Sequence, residues 1–205
     1  MPPRQAGLSK EKIVATAIDL LEAGGAEGLS MRKLATAMGV VPMAFYNHFE
    51  DRDALLDAVA EHVLQALVPA AANRSWRSRL ASLFREIRKL RTQYPQAFRL
   101  AMSRPTHAKT VANLVGSVME GLRDAGLDEK DAVMCYHTFL VFLRGFPIWE
   151  EGMVNDSAPS PPSGGASGPE ICKVIYPVNP AKQFDASINW LLDSVEALVD
   201  RKRSS

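Results

Sequence analysis

Few side chains in this 205-residue chain have the type and spacing needed for chemistry. The four histidines, His48, His62, His107 and His137, share no metal-ligand spacing. Cys135, Tyr136 and His137 are consecutive, and consecutive residues diverge by about 100° around a helix, so Cys135 and His137 make a poor catalytic pair. No Ser, Cys or Lys lies in a nucleophile motif, and no Gly-rich loop is built to cradle phosphate. We therefore expect no catalytic residue, no metal, no cofactor and no enzyme. The informative stretch is Leu29 to Leu56. It reads as a helix, a tight turn containing Gly39 and a second short helix, which together make a helix-turn-helix. Small Ala35 lets the two helices approach, and Gly39 supplies the backbone freedom of the turn. Such a unit lays its second helix in a DNA major groove while the first braces against the backbone. The chemistry expected is binding.

The elements that must hold this unit are helical. Hydrophobic residues make up 47% of the chain and charged residues 23%, which places it among globular proteins. No uninterrupted apolar run approaches a membrane span, and no apolar signal core follows the N-terminus. Two cysteines, Cys135 and Cys172, are too few for a disulfide framework and suit reduced thiols in the cytoplasm. Apolar spacing predicts a first helix from an N-cap at Ser9 to a stop at Gly24-Gly25, with Ile13, Ala17, Leu20 and Leu21 on one face. A second helix follows Ser30. A third begins at Pro42, which suits a first turn, and ends near Asn47. A fourth runs from an N-cap at Asp51 to Leu67. After a short linker, helices follow Ser75, Pro95, Thr106 and Asp128. From Ala132 to Phe146 the chain is apolar on almost every side, and burial all round is expected. Residues 152–180 read as a flexible loop carrying an apolar island, Ile171 to Tyr176. A last helix bears Ile188, Leu191, Leu192, Val195, Leu198 and Val199. The fold expected is all-α: a helix-turn-helix domain over 1–67, with its fourth helix as connector, and a helical effector and dimerisation domain over 68–205.

Charge is uneven. Residues 1–67 carry six Lys/Arg and nine Asp/Glu, whereas residues 68–104 carry nine and one. Arg77, Arg79, Arg85, Arg88, Lys89 and Arg91 form a basic helix that reads as a solvated face, part of it neutralising the acidic fourth helix. Since the N-terminal part is acidic overall, DNA binding has to rest on a local motif.

That motif continues as Phe45-Tyr46-Asn47-His48-Phe49, then Arg52, then Leu55-Leu56. With Leu29-Ser30-Met31-Arg32-Lys33-Leu34-Ala35 through Gly39-Val40, it strongly resembles the signature of the tetracycline-repressor (TetR) family. The resemblance is most specific over residues 9–67. It continues weakly through Ser75-Trp76, Arg104-Pro105-Thr106 and Gly126-Leu127-Asp128 to Gly145. It implies a ligand-responsive, homodimeric transcriptional regulator, usually a repressor of operator DNA. By position, Ser30 caps the second helix near a phosphate, and Arg32 reaches a base edge, most naturally guanine O6 and N7. Tyr46 and His48 donate to phosphates, Asn47 reads bases or backbone, and Arg52 stands where the family usually has Lys. Tyr46 and His48 also have plain readings, a core aromatic and an incidental surface histidine, and Lys33 reads as a solvated charge. Val41, Pro42, Met43 and Ala44 bring almost no hydrogen-bonding capacity to the third helix, so direct readout there is apolar, for example against thymine methyl groups.

The resemblance also implies an effector cavity among the C-terminal helices. Phe98, Met102, Met119, Phe142 and Trp149 supply apolar lining, and Asn113, His137, Thr138 and Arg144 are polar candidates to orient a ligand. Family members that bind a drug chelated to Mg²⁺ use a His just before Arg-Pro-Thr. Here that place is Leu100, which cannot ligate the ion. A small, metal-free, apolar or aromatic organic effector is expected, with no membrane partner and with the segment 152–180 as a candidate lid.

Overall fold

A computed structural model of the chain describes residues 8–69, 73–104, 109–155 and 179–204. Among the described residues there is no strand. The helices are α1 (Lys10–Gly28), α2 (Met31–Met38), a 3₁₀ helix (Pro42–Asn47), α3 (Arg52–Gln65), α4 (Trp76–Gln93), α5 (Pro95–Ser103), α6 (Lys109–Asp124), α7 (Glu129–Asn155) and α8 (Pro180–Arg203). The capping residues perform as their chemistry requires. Ser9 Oγ accepts from Lys12 N at 3.3 Å, Ser30 Oγ from Lys33 N at 3.2 Å and Asp51 Oδ1 from Ala54 N at 2.7 Å. Ser75 and Asp128 do the same for α4 and α7. The Thr106 cap, the apolar island 171–176 and Cys172 lie outside the described residues. So does most of the proposed lid.

Contacts divide the chain into two compact units. The first joins residues 1–70 with 83–116 and the second joins 71–82 with 117–205. The first therefore reaches past the expected boundary at residue 67, because Ala97, Phe98 and Ala101 of α5 bury themselves in the core of α1 and α3. That core holds Ile13, Leu34, Phe45, Leu55, Val59 and Leu64, each nearly inaccessible. Glu22, half-buried on α1, ties the unit further: its carboxylate accepts from Gln96 N at 3.2 Å and Ala97 N at 2.8 Å, so one helix caps the start of another. α1 does not stop at Gly24-Gly25 as expected. It kinks at Gly25 (φ 61°, ψ −161°) and resumes to Gly28.

In the second unit α7 packs on α8. Phe184 meets Phe146 edge-on at 5.1 Å between ring centroids and Phe142 at 5.6 Å. Gly121 lets α6 approach α4; a Cβ there would lie 3.2 Å from the Leu80 side chain. Arg77 pairs with Asp193 (2.6 Å) and Glu196 (3.3 Å) of α8, and Arg79 pairs with Asp124. These two basic residues thus answer α6 and α8.

Two further expectations are corrected here. The helix 132–146 is not buried all round. Ala132, Phe139 and Phe146 are buried, whereas Met134, Val141 and Ile148 are 62%, 72% and 75% exposed. Both sets repeat every seven residues and are offset by two, or about 200° of rotation, so α7 has two opposite apolar faces, of which the described residues cover one. Next, residues 152–155 belong to α7 rather than to a loop, and the last helix starts at Pro180. By length and composition alone Glu129–Gly152 could cross a membrane, although Arg144 interrupts its apolar run.

Candidate nucleic-acid interface

The turn between α2 and the 3₁₀ helix is built on Gly39 (φ 67°, ψ 31°), in the left-handed region that glycine occupies cheaply. The Val40 N–H then closes on Ala35 O at 3.0 Å. Pro42 opens the next helix, whose tight turns are tied by Ala44 N to Val41 O (3.0 Å) and His48 N to Phe45 O (2.8 Å). Phe45 is fully buried and Phe49 nearly so, and these two anchor the helix on the core. Val41, Met43 and Tyr46 are left 65%, 74% and 51% exposed. A purely core role for Tyr46 is thereby excluded.

Arg32, Pro42, Asn47 and Arg52 are also exposed, and Ser30, Ala44 and His48 are half-buried. Arg52 Nη2 lies 3.5 Å from Leu29 O, which braces α3 against the start of the helix-turn-helix. Lys33 is more than a solvated charge: its Nζ donates to Glu27 O at 2.8 Å, across the α1–α2 junction. The acidic side chains beside this surface are partly answered. Arg104, at the end of α5, pairs with both Asp53 and Asp57 of α3, and its guanidinium is held above its usual pKa chiefly by the hydrogen bond to Asp57. Glu11 is pushed below its usual carboxylate value by hydrogen bonds from its own backbone and Ser9, with His48 a smaller cause. Sequence reasoning missed Glu22 and Arg104 as positioning residues. Their partners lie 47 to 75 positions away, and no local pattern marks such pairs.

Residues 13–59 match the bacterial regulatory proteins of the tetR family, and residues 68–190 match the tetracyclin repressor-like C-terminal domain. The chain belongs to the tetR family. It is accordingly a DNA-binding transcriptional regulator, with the helix-turn-helix and helical C-terminal domain of the tetR fold. It is 33% identical over 155 residues to the tetracycline repressor protein class A from transposon 1721 of Escherichia coli, covering 73% of this chain and 70% of that one. It is 30% identical over 127 residues to an HTH-type transcriptional regulator of Saccharopolyspora erythraea, covering 62% of this chain and 54% of that one, so the match spans about half of that relative. The fold is shared with the Streptomyces coelicolor TetR family protein ActR in complex with actinorhodin, at a TM-score of 0.76, 23% identity and coverage of 95% and 99%.

The effector-side candidates of this tetR-family chain fall in both units. Phe98, Met102 and Asn113 belong to the first unit; Met119, His137, Thr138, Phe142 and Trp149 belong to the second. Phe98 and Met119 are buried, Phe142 and Trp149 half-buried and Met102 partly exposed. Asn113, His137, Thr138 and Arg144 are exposed, and the Thr138 hydroxyl donates to Met134 O of its own helix at 3.0 Å. Within the second unit Phe142, Phe146, Trp149 and Phe184 form a continuous aromatic cluster with centroids 5.1 to 5.6 Å apart. No group of three or more His, Cys, Asp or Glu suited to a metal is present among the described residues.

Proposed function

We propose that this tetR-family regulator binds its operator as a two-fold dimer through the 3₁₀ helix Pro42–Asn47 and is released by a small, metal-free organic effector, acting as a cytoplasmic repressor. The observation that carries the reading is the split surface of that helix: Phe45 is locked in the core while Val41, Met43 and Tyr46 face outward beside Arg32, Asn47 and Arg52. Apolar readout of thymine methyl groups by Val41, Pro42, Met43 and Ala44 then combines with a guanine contact from Arg32. Tyr46, His48, Arg52 and the Ser30 cap serve the phosphates, which position the unit without reading sequence. With Glu50 and Asp51 close by, affinity is modest and strongly salt-dependent. The Arg104 pairing of Asp53 and Asp57 speaks against the competing reading, in which an acidic hairpin no longer reads DNA.

The exposed seam Met134, Val141 and Ile148 on α7, with Trp190 on α8, supports the dimer. An apolar seam with a seven-residue repeat is a self-pairing surface, and the two-fold solution brings α7 and α8 of each copy into a four-helix interface. Recognition helices about 34–36 Å apart then meet successive major grooves. For the effector, the aromatic cluster around Phe142 and Trp149 favours an apolar or aromatic molecule, and ActR, of the same fold, is known with actinorhodin bound. Phe98, Met102, Met119, Asn113, His137 and Thr138 remain candidate contacts within their own units. A gel-shift measurement with DNA from around the protein's own gene tests the core of this reading. A retarded, salt-sensitive complex is expected, and the absence of any complex at low salt rejects it.

A further inference from the structure

We propose that the outward face of the 3₁₀ helix, Val41 to Ala44, reads the C5 methyl group of a pyrimidine and not the base that carries it, so that 5-methylcytosine is accepted where thymine is. Operator affinity then responds to cytosine C5 methylation as well as to sequence. The inference rests on the operator reading above. Val41 and Met43 are among the most exposed apolar side chains of the described residues, with Pro42 exposed beside them and Ala44 half-buried. None of these four side chains carries a polar nitrogen or oxygen. The main chain adds little, since Pro42 has no N–H and the Ala44 N–H is tied to Val41 O at 3.0 Å. On α2, the Thr36 hydroxyl donates to Arg32 O at 3.0 Å and Lys33 Nζ to Glu27 O at 2.8 Å. Tyr46 and Asn47 stand one turn of the 3₁₀ helix beyond Met43 and Ala44.

Thymine and 5-methylcytosine carry the same methyl group on the same ring carbon, and so present it at the same place in the major groove. They differ in the adjacent ring substituent, an acceptor oxygen in thymine and a donor amine in cytosine. Their partner purines differ to match: adenine offers a donor and guanine an acceptor. Telling the two base pairs apart therefore takes a hydrogen-bonding group, and the side chains of Val41 to Ala44 supply none. A methyl group covered by Val41 or Met43 still leaves water, which is worth about 0.8 kcal/mol for one buried carbon, or about fourfold in affinity. Unmethylated cytosine and uracil both lack that contact.

Fluorescence anisotropy of the full chain, with the shortest duplex that it retards from around its own gene, tests the inference. Thymines are first replaced singly by uracil. At each position where uracil weakens binding about fourfold, the T·A pair is replaced by C·G and by 5-methylcytosine·G. The C·G duplex is expected to bind at least about fourfold more weakly than the parent, and the methylated duplex to come within about twofold of it. Val41→Ala and Met43→Ala are expected to weaken the parent duplex and to remove the uracil penalty. Both positions are exposed, so far-ultraviolet dichroism should match the unsubstituted protein and confirm folding. A duplex indifferent to uracil at every position overturns the proposal. So does methylated cytosine that binds no better than cytosine, or a uracil penalty that persists unchanged in both variants. Failure to bind any duplex rejects the operator reading itself, and the methyl readout falls with it.

Discussion

Arg32 projects from α2 with its side chain exposed, on a helix already capped by Ser30, so its removal costs the fold little. Arg32→Ala is expected to cost about 1–3 kcal/mol of operator affinity and to relax preference at one base pair. Tyr46→Phe and His48→Ala, which take away phosphate donors, are expected to weaken all sequences alike. Fluorescence anisotropy against the operator and a scrambled duplex separates the two patterns. A stability effect belongs instead to Glu22, whose carboxylate holds two N–H groups at the start of α5. Glu22→Ala is expected to cost about 1–2 kcal/mol in urea unfolding, in the range of a lost helix cap. Glu22→Gln keeps an acceptor and should cost less.

Among the elements, two glycines bend the chain for different reasons. Gly39 lies in the left-handed helical region, which asparagine also visits, and a Cβ there meets nothing within 4 Å. Gly39→Asn is therefore expected to be nearly tolerated and Gly39→Ala to cost about 1 kcal/mol. Gly25, at φ 61° and ψ −161°, occupies a region open essentially to glycine alone. Gly25→Asn should lower the melting temperature clearly more than Gly39→Asn, and equal melting temperatures would contradict this account of the kink. α7 shows the opposite case, an element whose two faces are both apolar and of which the described residues cover only one.

For the whole molecule, that uncovered face makes assembly the first expectation. Sedimentation at micromolar concentration should show a dimer. Val141→Arg with Ile148→Arg should yield monomer by placing like charges across the two-fold axis, while helix content persists. A second expectation couples the two ligands. An effector that moves the protein from 1:99 to 99:1 released must prefer the released state by about 5.5 kcal/mol. Operator DNA must then weaken the effector by the same factor, which titration calorimetry with and without DNA measures. The third concerns acid. Asp128 is held below its usual value by Lys202, chiefly through the side-chain hydrogen bond, and then by the Asp131 N–H. A carboxyl whose folded pKa is depressed adds stability above its unfolded pKa and loses it as pH falls through the folded value. Asp128→Asn should therefore flatten the decline of melting temperature below about pH 5, and an unchanged decline would assign the acid sensitivity to other carboxylates.

The sequence alone determined the helices, their caps and the helix-turn-helix, because each depends on residues within one or two turns of each other: Ser30 with Lys33, Asp51 with Ala54, Gly39 with Ala35. It also marked Phe45 as an anchor and Val41 and Met43 as an exposed apolar surface, since a short helix after Pro42 leaves these side chains few directions to point. Tertiary structure alone decided where α5 belongs, what Arg104 and Glu22 hold, and which face of α7 stays open. Periodicity can say that a face is apolar, but an apolar face is satisfied equally by a neighbour in the chain or by a second copy. Charge spacing, likewise, does not say which carboxylate an arginine 47 residues away will meet. Those choices follow from packing the whole chain at once.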